Sequence, residues 1–335
     1  MITLKDIAKE CNVSLATVSK ALNGQTDIGT KTALIIKNKA SELGYLPNAT
    51  ARALKTKRSY NIGVLFVDKT SSGLKHEYFS EILDSVRVTS ERKGYDITFI
   101  TKDLGNVKMT YYEHARYRNC DGVIIATVDY KDSDVKTLIA SSTPTVTLDY
   151  VFDGNTAVLS DNVGGMEELL HYIHQQGHRR IAMIHGEDTA VTQKRLASFY
   201  KICENYHIEV KEEYIKTAIY HGAKETAIAT RELLELEERP TCIMFPDDFS
   251  FIGGMNEIEK FGLSIPEDIS AVGYDGILLS QVLRPKLTTY KQNAEELGRL
   301  AAEKLIEEIE NPKSFIPQQY VVNGEMLIGG SVKKI

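Results

Sequence analysis

From residue 60 onward the chain alternates short apolar runs with stretches of helical period. The runs are "NIGVLFV" (61–67), "DITFIT" (96–101), "GVIIA" (122–126), "TVTLD" (145–149), "RIAMIHG" (180–186), "TCIMF" (241–245) and "DISAVGYD" (268–275). Helical periods fill 77–93, 163–176, 192–206, 223–235 and 248–261, and Gly94, Gly177 and Gly262 close three of them. A strand that must be followed by a crossover helix pairs with its neighbour in parallel, with helices covering both faces of the sheet. Such sheets take ligands at the carboxyl ends of their strands. The two runs of units, about 60–160 and 161–290, are each long enough for one sheet.

The first 60 residues are different in charge and in period. They hold eight Lys and two Arg against Asp6, Glu10, Asp27 and Glu42, a net +6, in a chain whose total is −6. A small basic head on an acidic body points the head alone at a polyanion. An uneven but merely solvated surface is the plainer alternative.

In "TLKDIAKECNVSLATVSKALNG" (3–24) Thr3 and Asp6 have capping-box spacing. Leu4, Ile7, Ala8 and Cys11 then share one helix face. Ser14 is placed to cap a second helix that turns Val18, Ala21 and Leu22 inward. Leu15, Ala16, Thr17 and Lys20 are left on its outer side, and Thr30 is expected to cap a third helix. Two short helices joined by a tight turn make a helix-turn-helix, whose second helix enters a major groove. Thr17 offers a hydroxyl, Leu15 an apolar contact for a thymine methyl and Lys20 a cation for a guanine edge. Lys5, Lys37 and Lys39 suit phosphates. A three-helix bundle with no DNA role has the same period.

In "YLPNATARALKTKRS" (45–59) Pro47 stops the third helix, and Asn48 opens a short run of helix formers. A helix of about eight residues is marginal alone, so it forms on docking. Leu54 sits among Arg52, Lys55, Lys57 and Arg58 and suits a minor-groove wedge. A plain interdomain linker is the alternative.

These stretches, together with "IGVLF", "CDGVII", "GHRRIAMIHG", "KRLASF", "IPEDISAVGYDG" and "LTTYKQ", resemble in order the lactose-repressor/galactose-repressor family of bacterial transcription regulators. The resemblance runs from residue 2 to about 330. It implies an all-α helix-turn-helix headpiece (1–46) and a hinge helix (47–59). It implies next an α/β core (60–335) like a type I periplasmic binding protein, with two doubly wound parallel-sheet subdomains. The first subdomain is about 60–160 plus 291–320, and the second about 161–290 plus 321–335. The DNA-facing set it implies is Thr3, Lys5, Ser14, Leu15, Ala16, Thr17, Ser19 and Lys20, then Asn48, Ala51, Leu54 and Lys55. Lys20 stands where the family more often has arginine, and lysine lacks the planar bidentate fork.

In the body, polyol recognition needs carboxylates, an arginine and aromatic faces. Strand ends and helix starts supply Tyr78, Phe79, Asp149, Arg195, Asp247 and Asp275, and the family resemblance adds Gln292. Arg195 and Asp275 match the family's effector-holding arginine and aspartate, and the rest match more variable pocket positions. Asp247 stands where relatives commonly carry an amide or a small residue, which points to a hydroxyl-rich or cationic ligand. Tyr220 is a candidate pocket aromatic. Asp248 is expected to cap helix 248–261.

No P-loop, GxSxG, HExxH or GxGxxG motif is present, so catalysis is not expected. No cofactor is expected either. His76, His171, His174 and His178 show no metal-ligand spacing, so no metal is expected. The four cysteines lie far apart, without CxxC, as reduced thiols do. No apolar run spans a bilayer and no leader is visible. The expectation is a cytoplasmic homodimer on a pseudo-palindromic operator, released or engaged by a sugar or sugar phosphate. The alternatives are a periplasmic-type sugar receptor without DNA function, or a regulator of a non-sugar metabolite.

Overall fold

The computed structural model describes residues 2–22, 27–45, 56, 58–68 and 72–335. Two compact units divide the chain, Met1–Ser59 and Tyr60–Ile335.

The first unit contains α1 (Leu4–Glu10), α2 (Leu15–Leu22) and α3 (Thr30–Glu42). The Thr3–Asp6 capping box is formed: Thr3 N–H donates to Asp6 Oδ2 at 2.8 Å, and Asp6 N–H returns to Thr3 Oγ1 at 3.4 Å. Ser14 caps α2 by accepting the Thr17 N–H at 3.1 Å. Thr30 does not cap α3. It is the first helical residue, and Gly29 takes the cap position with no side-chain bond. Ile7, Val18, Ala21, Ile36 and Ala40 are buried together. Three large apolar side chains, at ~1.5–3 kcal/mol each, supply most of that burial.

The second unit is two sheets. The first runs β13-β7-β6-β5-β1-β2 and is parallel throughout. Its strands are β1 (Asn61–Phe66), β2 (Asp96–Ile100), β5 (Gly122–Thr127), β6 (Thr145–Leu148), β7 (Thr156–Ser160) and β13 (Gln319–Val322). A short hairpin, β3 (Asp103–Leu104) and β4 (Val107–Lys108), stands apart. The second sheet runs β14-β12-β11-β10-β8-β9 and is parallel except at its β12–β14 edge. Its strands are β8 (Ile181–His185), β9 (Ile215–Thr217), β10 (Cys242–Met244), β11 (Ser270–Asp275), β12 (Thr288–Lys291) and β14 (Glu325–Leu327). β5 and β11 are buried on both faces except at their last residue. Hence their near-continuous apolar runs.

Helices α4 (Glu77–Arg92), α5 (Tyr111–Tyr117) and α6 (Ser133–Ile139) belong to the first lobe. Helices α7 (Asn162–Gln175), α8 (Ala190–Asn205), α9 (Ala223–Leu234), α10 (Phe251–Lys260) and α11 (Leu278–Val282) belong to the second. α12 (Ala294–Glu310) follows β12 of the second sheet yet packs in the first lobe, with Leu297, Ala301 and Leu305 in the same core as Ile82 and Val86 of α4. At Gly298 any Cβ would run into the Ile82 carbonyl, so glycine sets the approach of these two helices. The chain therefore passes between the lobes three times: after β7, after β12, and between β13 and β14. None of the described helices is long and apolar enough to cross a membrane.

Candidate functional site

Strand ends bring the candidate residues of the core together. Asp149 follows β6 and Asp275 ends β11, and both hold left-handed backbone, φ 54° and 104°. That conformation is uncommon outside glycine and collects at functional sites. Ser160 donates to Asp149 twice, N–H to Oδ1 at 2.7 Å and Oγ to Oδ2 at 3.2 Å. Between Ser160 Oγ and Tyr78 Oη (3.3 Å) either hydroxyl can donate, so with the Ser160 hydroxyl turned to Tyr78 the Tyr78 proton goes to Gln292 Oε1 (3.4 Å) while the Ser160 N–H still holds Asp149. Gln292 Nε2 donates to Asp275 Oδ1 at 2.7 Å. The chain Asp149–Ser160–Tyr78–Gln292–Asp275 thus runs from one sheet to the other through four of the seven core residues read from the sequence.

Arg195, on α8, is buried. Its Nε donates to Asn162 Oδ1 at 2.7 Å and its Nη1 to Pro246 O at 3.1 Å. The guanidinium lies over Tyr274, 3.5 Å from the ring centre, with Tyr220 at 5.7 Å. Burial disfavours its charge, but Tyr220, Tyr274, Asp275 and Asp149 more than offset this and its pKa moves up. Asp275 is pushed up to about 7, first by burial and then by Asp247, against the pull of Arg195. Burial likewise raises Asp149, against the Ser160 N–H. A cavity of about 10 Å³ lies beside Arg195 against Met183, Met244, Tyr220 and Tyr274. That is room for about one water, and every residue lining it belongs to the second lobe.

Asp247 is brought to the same region, but its oxygens are engaged by Ser250 N–H and Oγ, both at 2.7 Å, and by the His221 N–H at 2.8 Å. Phe79 stands outside the hydrogen-bonded chain and packs on the Phe66, His76 and Tyr78 rings. Asp248 is not a helix cap. Ser250 occupies the cap of α10, and Asp248 is buried, accepting Thr289 Oγ1 at 2.6 Å and the Ile277 N–H at 3.0 Å. It ties β12 and the chain after β11 to the end of β10, and burial raises its pKa strongly. Sequence reasoning left Tyr274 open between packing and contact and missed Ser160, Asn162 and Thr289, because their roles arise only where β7, α7 and β12 converge. A polar "SDN" directly after an apolar run was the available signal.

In the head, Leu15, the first residue of α2, is 45% exposed, while Val18 and Ala21 of the same helix are buried. Ala16 is exposed, Ser19 half-buried, and the Thr17 hydroxyl meets Ser14 Oγ at 2.8 Å. Lys20 pairs with Asp27, both partly exposed. Lys5 is exposed, and Thr3 is held in its capping box. Asn48, Ala51, Leu54 and Lys55 lie outside the described residues.

Residues 3–48 match the family described as bacterial regulatory proteins, lacI family, and residues 170–332 match the periplasmic binding protein-like domain. A Bacillus subtilis protein named "Probable HTH-type transcriptional repressor ExuR" is 32% identical over 339 residues, covering 100% of this chain and 99% of its own. The chain belongs to the lacI family of bacterial regulatory proteins. Another family member, the HTH-type transcriptional repressor PurR of Haemophilus influenzae, is 30% identical over the full length of both chains. Among solved structures, a lac repressor dimer bound to operator and the anti-inducer ONPF superposes with a TM-score of 0.82 at 23% identity, covering 99% of each chain. A transcriptional regulator CelR–cellobiose complex gives a TM-score of 0.73 at 23% identity. These two show the lacI-family fold: a helix-turn-helix head and a two-lobed parallel-sheet core.

Proposed function

We propose that this chain is a cytoplasmic, homodimeric transcriptional repressor of carbohydrate-metabolism genes and not an enzyme. Its two heads read the halves of a pseudo-palindromic operator, with Leu15, Ala16, Thr17 and Lys20 at base edges. Thr3, Lys5, Ser14 and Ser19 face the backbone. Asn48, Ala51, Leu54 and Lys55 form a hinge helix whose Leu54 enters the minor groove. A sugar occupies the cleft, held by Arg195, Asp275, Asp149 and Gln292, with Tyr78, Phe79 and Asp247 shaping its walls.

One observation carries this reading: the Asp149–Ser160–Tyr78–Gln292–Asp275 chain joins the two lobes beside a buried arginine. A ligand whose hydroxyls replace those bonds changes how the lobes sit, and a ligand that binds one arrangement better shifts the population toward it. Asp149, Asp247 and Asp275 against one guanidinium favour an uncharged, hydroxyl-rich sugar over a sugar phosphate. Coupling of this kind is typically ~1–3 kcal/mol, or about 5–150-fold in operator affinity.

The test has two arms. Selection from random duplexes recovers a pseudo-palindrome if the chain reads DNA. A panel of mono- and disaccharides, screened by thermal shift and then for change in operator affinity, finds the effector. Ligand binding without any selected duplex favours a sugar receptor instead. A selected duplex with a non-sugar effector keeps the repressor and overturns the sugar.

A further inference from the structure

His76 stands at the N-terminal cap position of α4 in the first lobe with no side-chain capping bond, while His221 and Phe249 belong to the second. The His76 and His221 rings stack at 4.1 Å with 20° between planes. The His221 ring continues onto Phe249 at 3.8 Å and 13°. Phe79 closes the edge of His76 at 4.8 Å. His76 is 7% exposed, and among the described residues its Nδ1 has no hydrogen-bond partner. Neither histidine is used by the hydrogen-bonded chain of the site.

We propose that this three-ring stack is a proton-sensitive latch between the lobes, closed while both imidazoles are neutral and released by acid. It goes beyond the repressor reading and needs no effector, because the proton itself is the second signal.

The charge environment sets the sign. Asp68 lies near both imidazoles and also accepts the Ser72 N–H. Asp247 faces them from the chain after β10 and fixes the His221 backbone N–H. Glu77, next to His76, is engaged by the Leu278 N–H at 2.6 Å. The two aspartates favour a charged imidazole. Burial outweighs them and, with His221 alongside, depresses His76 to about 4 from its ordinary 6.5. Burial depresses His221 as well. Opening the lobes returns the rings to water and to ordinary titration. The open form therefore takes up protons that the closed form refuses, and acid favours opening. With His76 at about 4 closed and 6.5 open, the closed-to-open ratio falls about tenfold between about pH 7.5 and 5.5. His221 adds to this in the same direction. Asp275 and Asp149 have the opposite sign, since burial raises both carboxyls in the closed form.

The test reads lobe distance and ring titration in the full chain. Spin labels are placed at Tyr117→Cys and Ile228→Cys, exposed positions on the first and second lobes. The background is Cys11→Ser, Cys120→Ser, Asp149→Asn and Asp275→Asn, the last two removing the opposing carboxyls. The short-distance population should fall about tenfold relative to the long one from about pH 7.5 to 5.5. His76→Phe, which keeps a stacking ring, should abolish most of that change. A ratio that ignores pH, or that falls just as far in His76→Phe, overturns the latch. A second measurement needs no His76 variant: the His76 ring-carbon resonance, followed by NMR in the unaltered protein. Its midpoint should lie far below 6.5 and move up toward 6.5 in His221→Ala. A midpoint near 6.5 in the unaltered protein overturns the proposal.

Discussion

The Arg195 guanidinium lies 3.5 Å from the centre of the Tyr274 ring, a buried cation held by an aromatic face, Asn162 and the Pro246 carbonyl. A desolvated cation–π contact is worth about 2 kcal/mol or more. Among the described residues the cation forms no ion pair, so its charge is left for the cleft carboxylates and a ligand.

Arg195→Lys keeps the charge but loses the planar fork that serves Asn162 and Pro246 together. Effector affinity should fall at least ~100-fold, as expected for losing a buried charged hydrogen bond of about 3 kcal/mol. Stability should fall by about 1–3 kcal/mol. Calorimetric titration and urea unfolding measure the two. Operator affinity without effector should stay within about threefold, and its collapse would show that Arg195 acts through folding rather than through the cleft.

Asp275→Asn keeps the bond from Gln292 and removes a carboxyl whose pKa is pushed up to about 7. A raised acid contributes stability that is fully present below its unfolded pKa, near 3.8, and lost as pH rises through about 7. The asparagine does not lose it. The variant should therefore be more stable than the parent at pH 8, by ~1–3 kcal/mol, and equal to it near pH 4. It should also fail to respond to effector. Melting curves across pH show the first, and equal melting at pH 8 would count against the raised carboxyl.

Lys20→Arg should shift operator preference at one base pair, since arginine forks onto guanine where lysine offers a point charge. Leu54→Ala should weaken the selected operator by about tenfold or more while leaving sugar affinity unchanged, because the wedge supplies part of the kink. Affinity should fall steeply with salt for the parent and for both variants. Titration of labelled duplexes at several salt concentrations reads all three.

Gly253→Ala should unfold much of the second lobe. A Cβ there would drive into the Ala223 carbonyl, a backbone atom that cannot give way cheaply. The cost should be about 3 kcal/mol or more, at the severe end of single substitutions. The head, with its own core around Ile7, Val18 and Ile36, should keep its helical spectrum. Calorimetry should then show the larger transition moving down alone.

Much of this protein follows from local chemistry. The Thr3–Asp6 box and the Ser14 cap depend on residues three apart, so the sequence alone fixed the starts of α1 and α2. Apolar runs buried on both faces marked β1, β5, β6, β8, β10 and β11 without help from the fold. Arg195, Asp149 and Asp275 were legible as strand-end or helix-start polar groups beside such runs, and Gln292 only through the family resemblance. Tertiary structure alone decided what those groups touch. Asp248 carries a good capping residue's chemistry, yet Thr289 and Ile277 claim it, because β12 and the end of β11 come to lie against the end of β10. β13 joins the first sheet and β14 the second only because the chain crosses between the lobes at residues 322–325. The His76–His221 stack has no local signature, since each ring is placed by a different lobe. Hydrophobic period and capping act within a few residues, whereas a cleft is made of residues that share only a position in space.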